Sequence, residues 1–296
     1  MNKTVLNIKK LYANVLSSVI FWNKYKRKAF RDRISPTNVK NCVKDLSCYV
    51  KGIETENKDC KHGKYIWTCW LQGEDSAPEL VKKCFQSLRE NKPKDFELKI
   101  ITHDNLNKYI SLPEFVIEKY QKHIISNAHF SDIIRVYLLK EYGGFWIDAT
   151  CLLTSPLPQN IYNSEFFIYR SVGKFAKTFI NNCFIYSKSF NPLISKWAEA
   201  ITKYWKNENF LLDYFVHHYL FIALLENDSK FKNLYESYSL NETDENMHII
   251  LHKAEKKENI SEADFKNACE KSFIHKLTYK CDIKLPAYRF ERFKNS

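Results

Sequence analysis

The sequence predicts an α/β fold in which largely parallel strands are covered by helices, and three observations predict it. Residues 126–150, SNAHFSDIIRVYLLKEYGGFWIDAT, read as an amphipathic helix, a glycine stop and a buried strand ending on an aspartate. From residue 64 onward, strand-like and helix-like stretches alternate, which is the pattern of βαβ units. The chain has 296 residues, 45% of them hydrophobic and 15% aromatic, enough to bury a substantial core and too many to remain disordered.

Residues 1–35 stand apart. Val5, Ile8, Leu11, Tyr12, Val15, Leu16, Val19 and Trp22 recur at three or four positions, and Lys24, Lys26, Arg27, Lys28, Arg31 and Arg33 crowd the end. The apolar run is interrupted by Asn14, Ser17 and Ser18 and falls short of the ~20 apolar residues that span a bilayer. Two readings fit it: an amphipathic helix lying in an anionic membrane interface, or a helix packed on the main domain or on a second subunit of a homo-oligomer. Ser35 and Pro36 form its stop, and the polar stretch 51–64 is a linker. The expected organisation is therefore an N-terminal helical segment with linker over 1–60 and one domain over 61–296.

In that domain, residues 65–70 form a short aromatic and β-branched strand. Pro78 opens a helix reaching Asn91, and residues 96–102 form the next strand, ending in the polar His103 and Asp104. In the 126–150 unit, Phe130, Ile133, Ile134, Tyr137 and Leu138 make one apolar stripe, with Asp132 and Arg135 on its flank. Ser126 or Asn127 caps the helix, and Gly143 and Gly144 end it. Strand alternation then sets Phe145 and Ile147 on one face and Trp146 and Asp148 on the other, so that Asp148 lies at the carboxyl end, where ligands of open α/β sheets collect. Further strands are expected at 165–169 and 183–186, and helices starting near Pro192 and Leu211.

The formal charge of +12 favours an anionic partner. No RNP-like pattern or zinc-finger spacing is present, so nucleic acid is not expected, which leaves an acidic membrane surface or a phosphorylated substrate. Nine cysteines without a CxxC pair, several among apolar residues, suit buried free thiols and a reducing cytoplasm. Lys9 and Lys10 break the first apolar run, so no secretory signal is expected. His217, His218, His252 and His275 lack any spacing typical of a zinc site.

The order SDIIR, then GGFWID, resembles the SDxxR…GGxWxD signature of the capsular polysaccharide synthesis glycosyltransferases. That group is similar to the sugar-binding DXD transferases and, more distantly, to the catalytic domains of large clostridial glucosylating toxins. YIWTCWLQG at 65–73, APELVKKCFQSLREN at 77–91, ITHDNLNKYISLPEFVIEKY at 101–120 and FIHKLTYK at 273–280 extend the resemblance over residues 60–285. It implies a GT-A fold, a single Rossmann-like nucleotide-sugar domain with a mixed, mostly parallel sheet. It also implies transfer of a hexose from a UDP-linked donor to a glycan acceptor, free or lipid-linked, with retention at the anomeric carbon. Such an enzyme of bacterial capsular or surface polysaccharide synthesis would work in the cytoplasm, at the inner face of the membrane.

The same resemblance suggests roles for individual residues. Trp67 matches the base-stacking position, with Gln72 beside Gly73 and Thr102 at the end of its strand as further nucleotide contacts. Asp132 and Arg135 match the positions that hold the donor sugar, and Trp146 shares the strand face of Asp148. Asp148 matches the first carboxylate of the DXD motif, the expected ligand of Mn²⁺ or Mg²⁺, but Thr150 stands where the second acid is usual, so metal dependence is open. His275 and Lys276 match the late segment that stabilises the diphosphate. Asp213, with His217 and His218 on one expected helix, is the catalytic candidate on the acceptor side. The missing acid also admits another reading, a catalytically silent, basic glycan-binding or scaffold protein on the same fold.

Overall fold

The computed structural model describes residues 39–55, 58–238, 242–281 and 283–286. The amphipathic stretch 1–35, read from the sequence as a membrane or packing element, lies outside the described residues. The first described element is a helix not anticipated from the sequence, α1 (Val39–Val50), which buries Cys42, Val43, Leu46, Tyr49 and Val50. Its apolar positions follow helical spacing, but lysines and an asparagine between them obscure the stripe.

Strand β1 (Tyr65–Cys69) lies inside the sheet and pairs in parallel with both β2 (Glu97–Ile101) and β3 (Gly144–Ile147). Helix α2 (Glu79–Asn91) makes the crossover from β1 to β2. After the short α3 (Glu114–Gln121), helix α4 (Asn127–Tyr142) leads into β3. Ser126 caps α4, and the two glycines that follow both have positive φ. A Cβ on Gly144 would stand 2.3 Å from the Tyr65 carbonyl oxygen, so only glycine lets β3 close against β1 here.

Beyond β3 the purely parallel pattern ends. Strand β6 (Ile180–Ser187) runs antiparallel to β3, and β5 (Phe166–Arg170) antiparallel to β6, in the order β2-β1-β3-β6-β5. Four strands therefore share one direction and β6 is reversed, the mixed, mostly parallel sheet expected from the resemblance. Trp67, Trp146, Ile168 and Ile185 pack from one face against α1, α4, α6 (Pro192–Asn207), α7 (Val216–Asn227) and α8 (Ser229–Tyr238). Ile66, Phe145, Phe184 and Tyr186 pack from the other face, with Val81, Phe85 and Leu88 of α2 and Ile161 of the short α5 (Gln159–Tyr162).

The second of the two late helices starts at Val216 rather than near Leu211. Local side-chain bonds hold the preceding stretch out of helical geometry: Tyr204 Oη donates to the Phe210 carbonyl and accepts from the Leu212 N–H, and Asp213 Oδ1 accepts from the Phe215 N–H at 2.9 Å. Downstream, α9 (Ile249–Glu255) and α10 (Glu262–Lys271) precede β7 (Ile274–Lys276), which pairs antiparallel with β4 (Cys151–Leu153). This two-stranded ribbon brings the late segment to the end of β3. Among the described residues, no helix is long and apolar enough to cross a membrane.

Candidate functional site

A cavity of about 460 Å³ opens beyond the carboxyl ends of β1 and β3. Cys69 and Trp70 line it from the end of β1, Trp146, Asp148, Ala149 and Thr150 from the end of β3, and Asn181 and Asn182 from the start of the reversed β6. Helix α4 contributes Ala128, Ser131, Asp132 and Arg135, one helical row, while its other row of Phe130, Ile133, Ile134 and Leu138 is buried in the core. The loop before α7 adds Tyr214, and the late segment adds Lys276 and Tyr279.

The charged cluster at its floor is ordered by Arg135. The same guanidinium nitrogen lies 3.1 Å from Asp148 Oδ1 and 3.2 Å from Asp132 Oδ1, and the other terminal nitrogen donates to the Asn182 carbonyl at 2.6 Å. The guanidinium also lies over the Trp146 ring, 4.9 Å from its centroid. Trp146 Nε1 donates to Asp148 Oδ1 at 2.8 Å, and Lys276 Nζ to Asp148 Oδ2 at 2.6 Å. Burial would push the Asp148 carboxyl up, but Lys276 and Arg135 outweigh it and hold it down at about 2. Burial would likewise depress Lys276, yet Asp148 keeps its ammonium firmly protonated. For Asp132 the balance is reversed: burial dominates over Arg135 and raises its pKa.

Of the residues predicted from the sequence, Asp132, Arg135, Trp146, Asp148 and Lys276 meet at this cavity. Trp67 does not. It is fully buried in β1, with Tyr65, Tyr109 and Tyr142 around its ring and Nε1 bonded to the Gly143 carbonyl, so a nucleotide base has no access to it. Trp70, three positions on and past the strand end, is the tryptophan of this segment that lines the cavity. Its ring meets Tyr279 edge-on, centroids 5.4 Å apart.

Gln72 is exposed in the following turn and does not line the cavity. Thr102 lies past the end of β2, the strand at the sheet edge, in a local turn where its N–H bonds Asn105 Oδ1. Strand alternation separates His275 from Lys276: His275 is turned inward, 3.2 Å from Thr154 Oγ1, while Lys276 faces the cavity. Asp213 holds the turn before α7 instead of sharing a helix face with His217. His217 packs against Trp197, whereas His218 reaches the cavity wall, where burial and then the Arg135 charge push its imidazole down to about 3.

Several lining residues escaped the sequence reading. Asn182 is one: its side-chain amide donates to Asp132 Oδ1 at 3.2 Å. Tyr214 is 60% exposed and Tyr279 48%, the two exposed large hydrophobic side chains among the described residues, and both line this cavity. His129 fixes the Tyr214 loop by joining the Ser126 hydroxyl to the Tyr214 carbonyl. Asp244, fully buried, accepts from the Val172 N–H and Asn181 Nδ2 and lies beside His248, so it sets two cavity-lining side chains. Only Tyr279, between Thr278 and Lys280, carried a local signal; Tyr214 stands among Leu211, Leu212, Phe215 and Val216 and reads as core.

A divalent cation does not fit the donors present. Both Asp148 oxygens already serve cations or an indole N–H, Thr150 supplies no charge, and Asp132 is separated from Asp148 by the guanidinium they share. Among the described residues no group of three or more His, Cys, Asp or Glu side chains is arranged to hold a metal ion.

The fold and the cavity together define an α/β protein with a charged ligand site at the carboxyl edge of a mixed sheet. The chain belongs to the capsular polysaccharide synthesis protein family, whose sequence model matches residues 19–288. It is similar to the O-glycosyltransferase braB of Annulohypoxylon truncatum, with 24% identity over 160 residues, 48% of this chain and 38% of that protein. The chain thus matches well under half the length of this relative. The solved PaToxG glycosyltransferase resembles it at 16% identity with a TM-score of 0.39, over 78% of this chain and 91% of that one.

Proposed function

We propose that this protein is a glycosyltransferase of bacterial capsular or surface polysaccharide synthesis that moves a hexose from a UDP-linked donor to a glycan acceptor. The observation that carries the reading is the cluster of Asp132, Arg135, Asp148 and Lys276 at the floor of one cavity, in a chain of this family. Asp132 accepts hydroxyl hydrogens of the donor sugar, with Arg135 fixing its orientation. Lys276 faces the diphosphate and stabilises the charge that develops as it leaves. Trp70 offers an aromatic face to the base, and the exposed Tyr214 and Tyr279 offer faces to sugar rings at the mouth. Transfer proceeds with retention, by attack of the acceptor on the face from which the diphosphate departs.

Purified protein incubated with a panel of UDP-, GDP- and CDP-sugars tests the reading. Slow, acceptor-independent hydrolysis of one UDP-sugar is the expected result. Thr150 in place of a second acid favours the rival reading, a silent glycan-binding scaffold, which predicts no hydrolysis of any donor. The basic N-terminal stretch supports work at an anionic membrane surface, with a lipid-linked acceptor. Removal of residues 1–33 is then expected to abolish binding to anionic vesicles while donor hydrolysis persists.

A further inference from the structure

The antiparallel ribbon of β4 and β7 sets Lys276 opposite Cys151, directly after the Asp148–Ala149–Thr150 turn. Thr150, which has no carboxylate to offer a metal, uses its carbonyl to accept the Leu277 N–H at 2.8 Å and so pins the strand that carries Lys276. The ammonium then reaches Asp148 Oδ2 at 2.6 Å, the oxygen that Arg135 and Trp146 leave open. A divalent ion bound to this carboxylate would have to displace Lys276 or sit against it, and like charges so close in a half-buried site repel strongly. An ammonium has three N–H donors, so one bond to Asp148 leaves others for diphosphate oxygens.

We propose that Lys276 stands in for the divalent cation of this site, so that the donor diphosphate is neutralised by the chain itself and nucleotide binding needs no metal. The proposal rests on the donor reading given above and adds to it the charge that replaces the metal. Asp148 becomes the anchor of the ammonium rather than a metal ligand. Thr150 becomes the residue that seats the lysine strand.

Calorimetric titration of the full chain with UDP, in EDTA and again with Mg²⁺ or Mn²⁺, tests it. The wild-type protein is expected to bind UDP equally well in both. Lys276→Met is expected to weaken UDP binding in EDTA by about tenfold or more, through loss of a charge on the diphosphate. Lys276→Arg, which keeps the charge, is expected to restore most of it and guards against a folding defect in the methionine variant. Lys276→Met combined with Thr150→Asp is expected to make UDP binding respond to Mn²⁺, which a merely structural lysine would not produce. Wild-type binding that vanishes in EDTA and returns with Mn²⁺ overturns the proposal, as does full UDP affinity of a folded Lys276→Met in EDTA. If the wild type binds no UDP, GDP or CDP under either condition, the donor reading itself fails and this inference falls with it.

Discussion

Arg135 donates to Asp148 at 3.1 Å although the two side chains come from different elements, one from the helix before the glycine pair and one from just past the strand after it. The glycine turn folds helix back on strand and brings both charges to one cavity edge, where Lys276 completes the cluster from far along the chain.

Asp148→Asn keeps the shape of the side chain and removes its charge, so Lys276 and Arg135 lose their shared anchor. Donor turnover is expected to fall about 100-fold or more with the far-ultraviolet circular dichroism unchanged. Unaltered turnover would remove Asp148 from the site.

Arg135 and Asp132 are expected to separate in their effects. Arg135→Ala leaves two carboxylates without their common partner and is expected to cost about 3–5 kcal/mol of stability, read by urea denaturation. Asp132→Asn removes a carboxylate whose charge burial already disfavours. It is expected to fold normally and to weaken nucleotide-sugar binding more than binding of free UDP; equal losses for both ligands would argue against a sugar contact.

The two tryptophans of the first strand segment give a paired test. Trp67→Ala opens a void in the centre of the sheet and is expected to cost about 3–5 kcal/mol. Trp70→Ala is expected to leave the melting temperature nearly unchanged and to weaken UDP binding, since Trp70 lines the cavity and is only half-buried. A reversed pattern would return the base-stacking role to Trp67.

Acid sensitivity should develop in two windows. His218 is held neutral, with its pKa lowered from 6.5 to about 3, so the unfolded chain binds a proton that the folded one refuses, and stability declines as pH falls from 6.5 toward 3. Asp148, lowered from 3.8 to about 2, contributes stability above 3.8 that is lost as pH falls through 2. Urea midpoints at pH 7, 5, 3.5 and 2.5 measure both windows. A folded His218→Asn variant is expected to lose less stability than the wild type between pH 7 and 5.

Asp213 holds a turn and does not line the cavity. Asp213→Ala is expected to cost about 1 kcal/mol of stability, as loss of a helix-entry hydrogen bond does, and to leave donor hydrolysis unchanged. A large drop in turnover without destabilisation would restore its catalytic role.

What the sequence determined by itself is local. The spacing of Phe130, Ile133, Ile134 and Leu138, the two glycines, and the alternation of Phe145 with Trp146 set a helix, a turn and a strand, and with them the position of Asp148, because those signals depend on residues within a few turns of one another. Asp132 and Arg135 were legible for the same reason. Tertiary structure decided everything that depends on distant partners. Burial on both faces of β1 makes Trp67 core and leaves Trp70 at the cavity, the pairing of β4 with β7 selects Lys276 over His275, and a tyrosine hydroxyl and an aspartate hold the chain out of a helix around Asp213. The reversal of β6, which brings Asn182 to Asp132, likewise follows from long-range pairing and leaves no periodic mark in the chain.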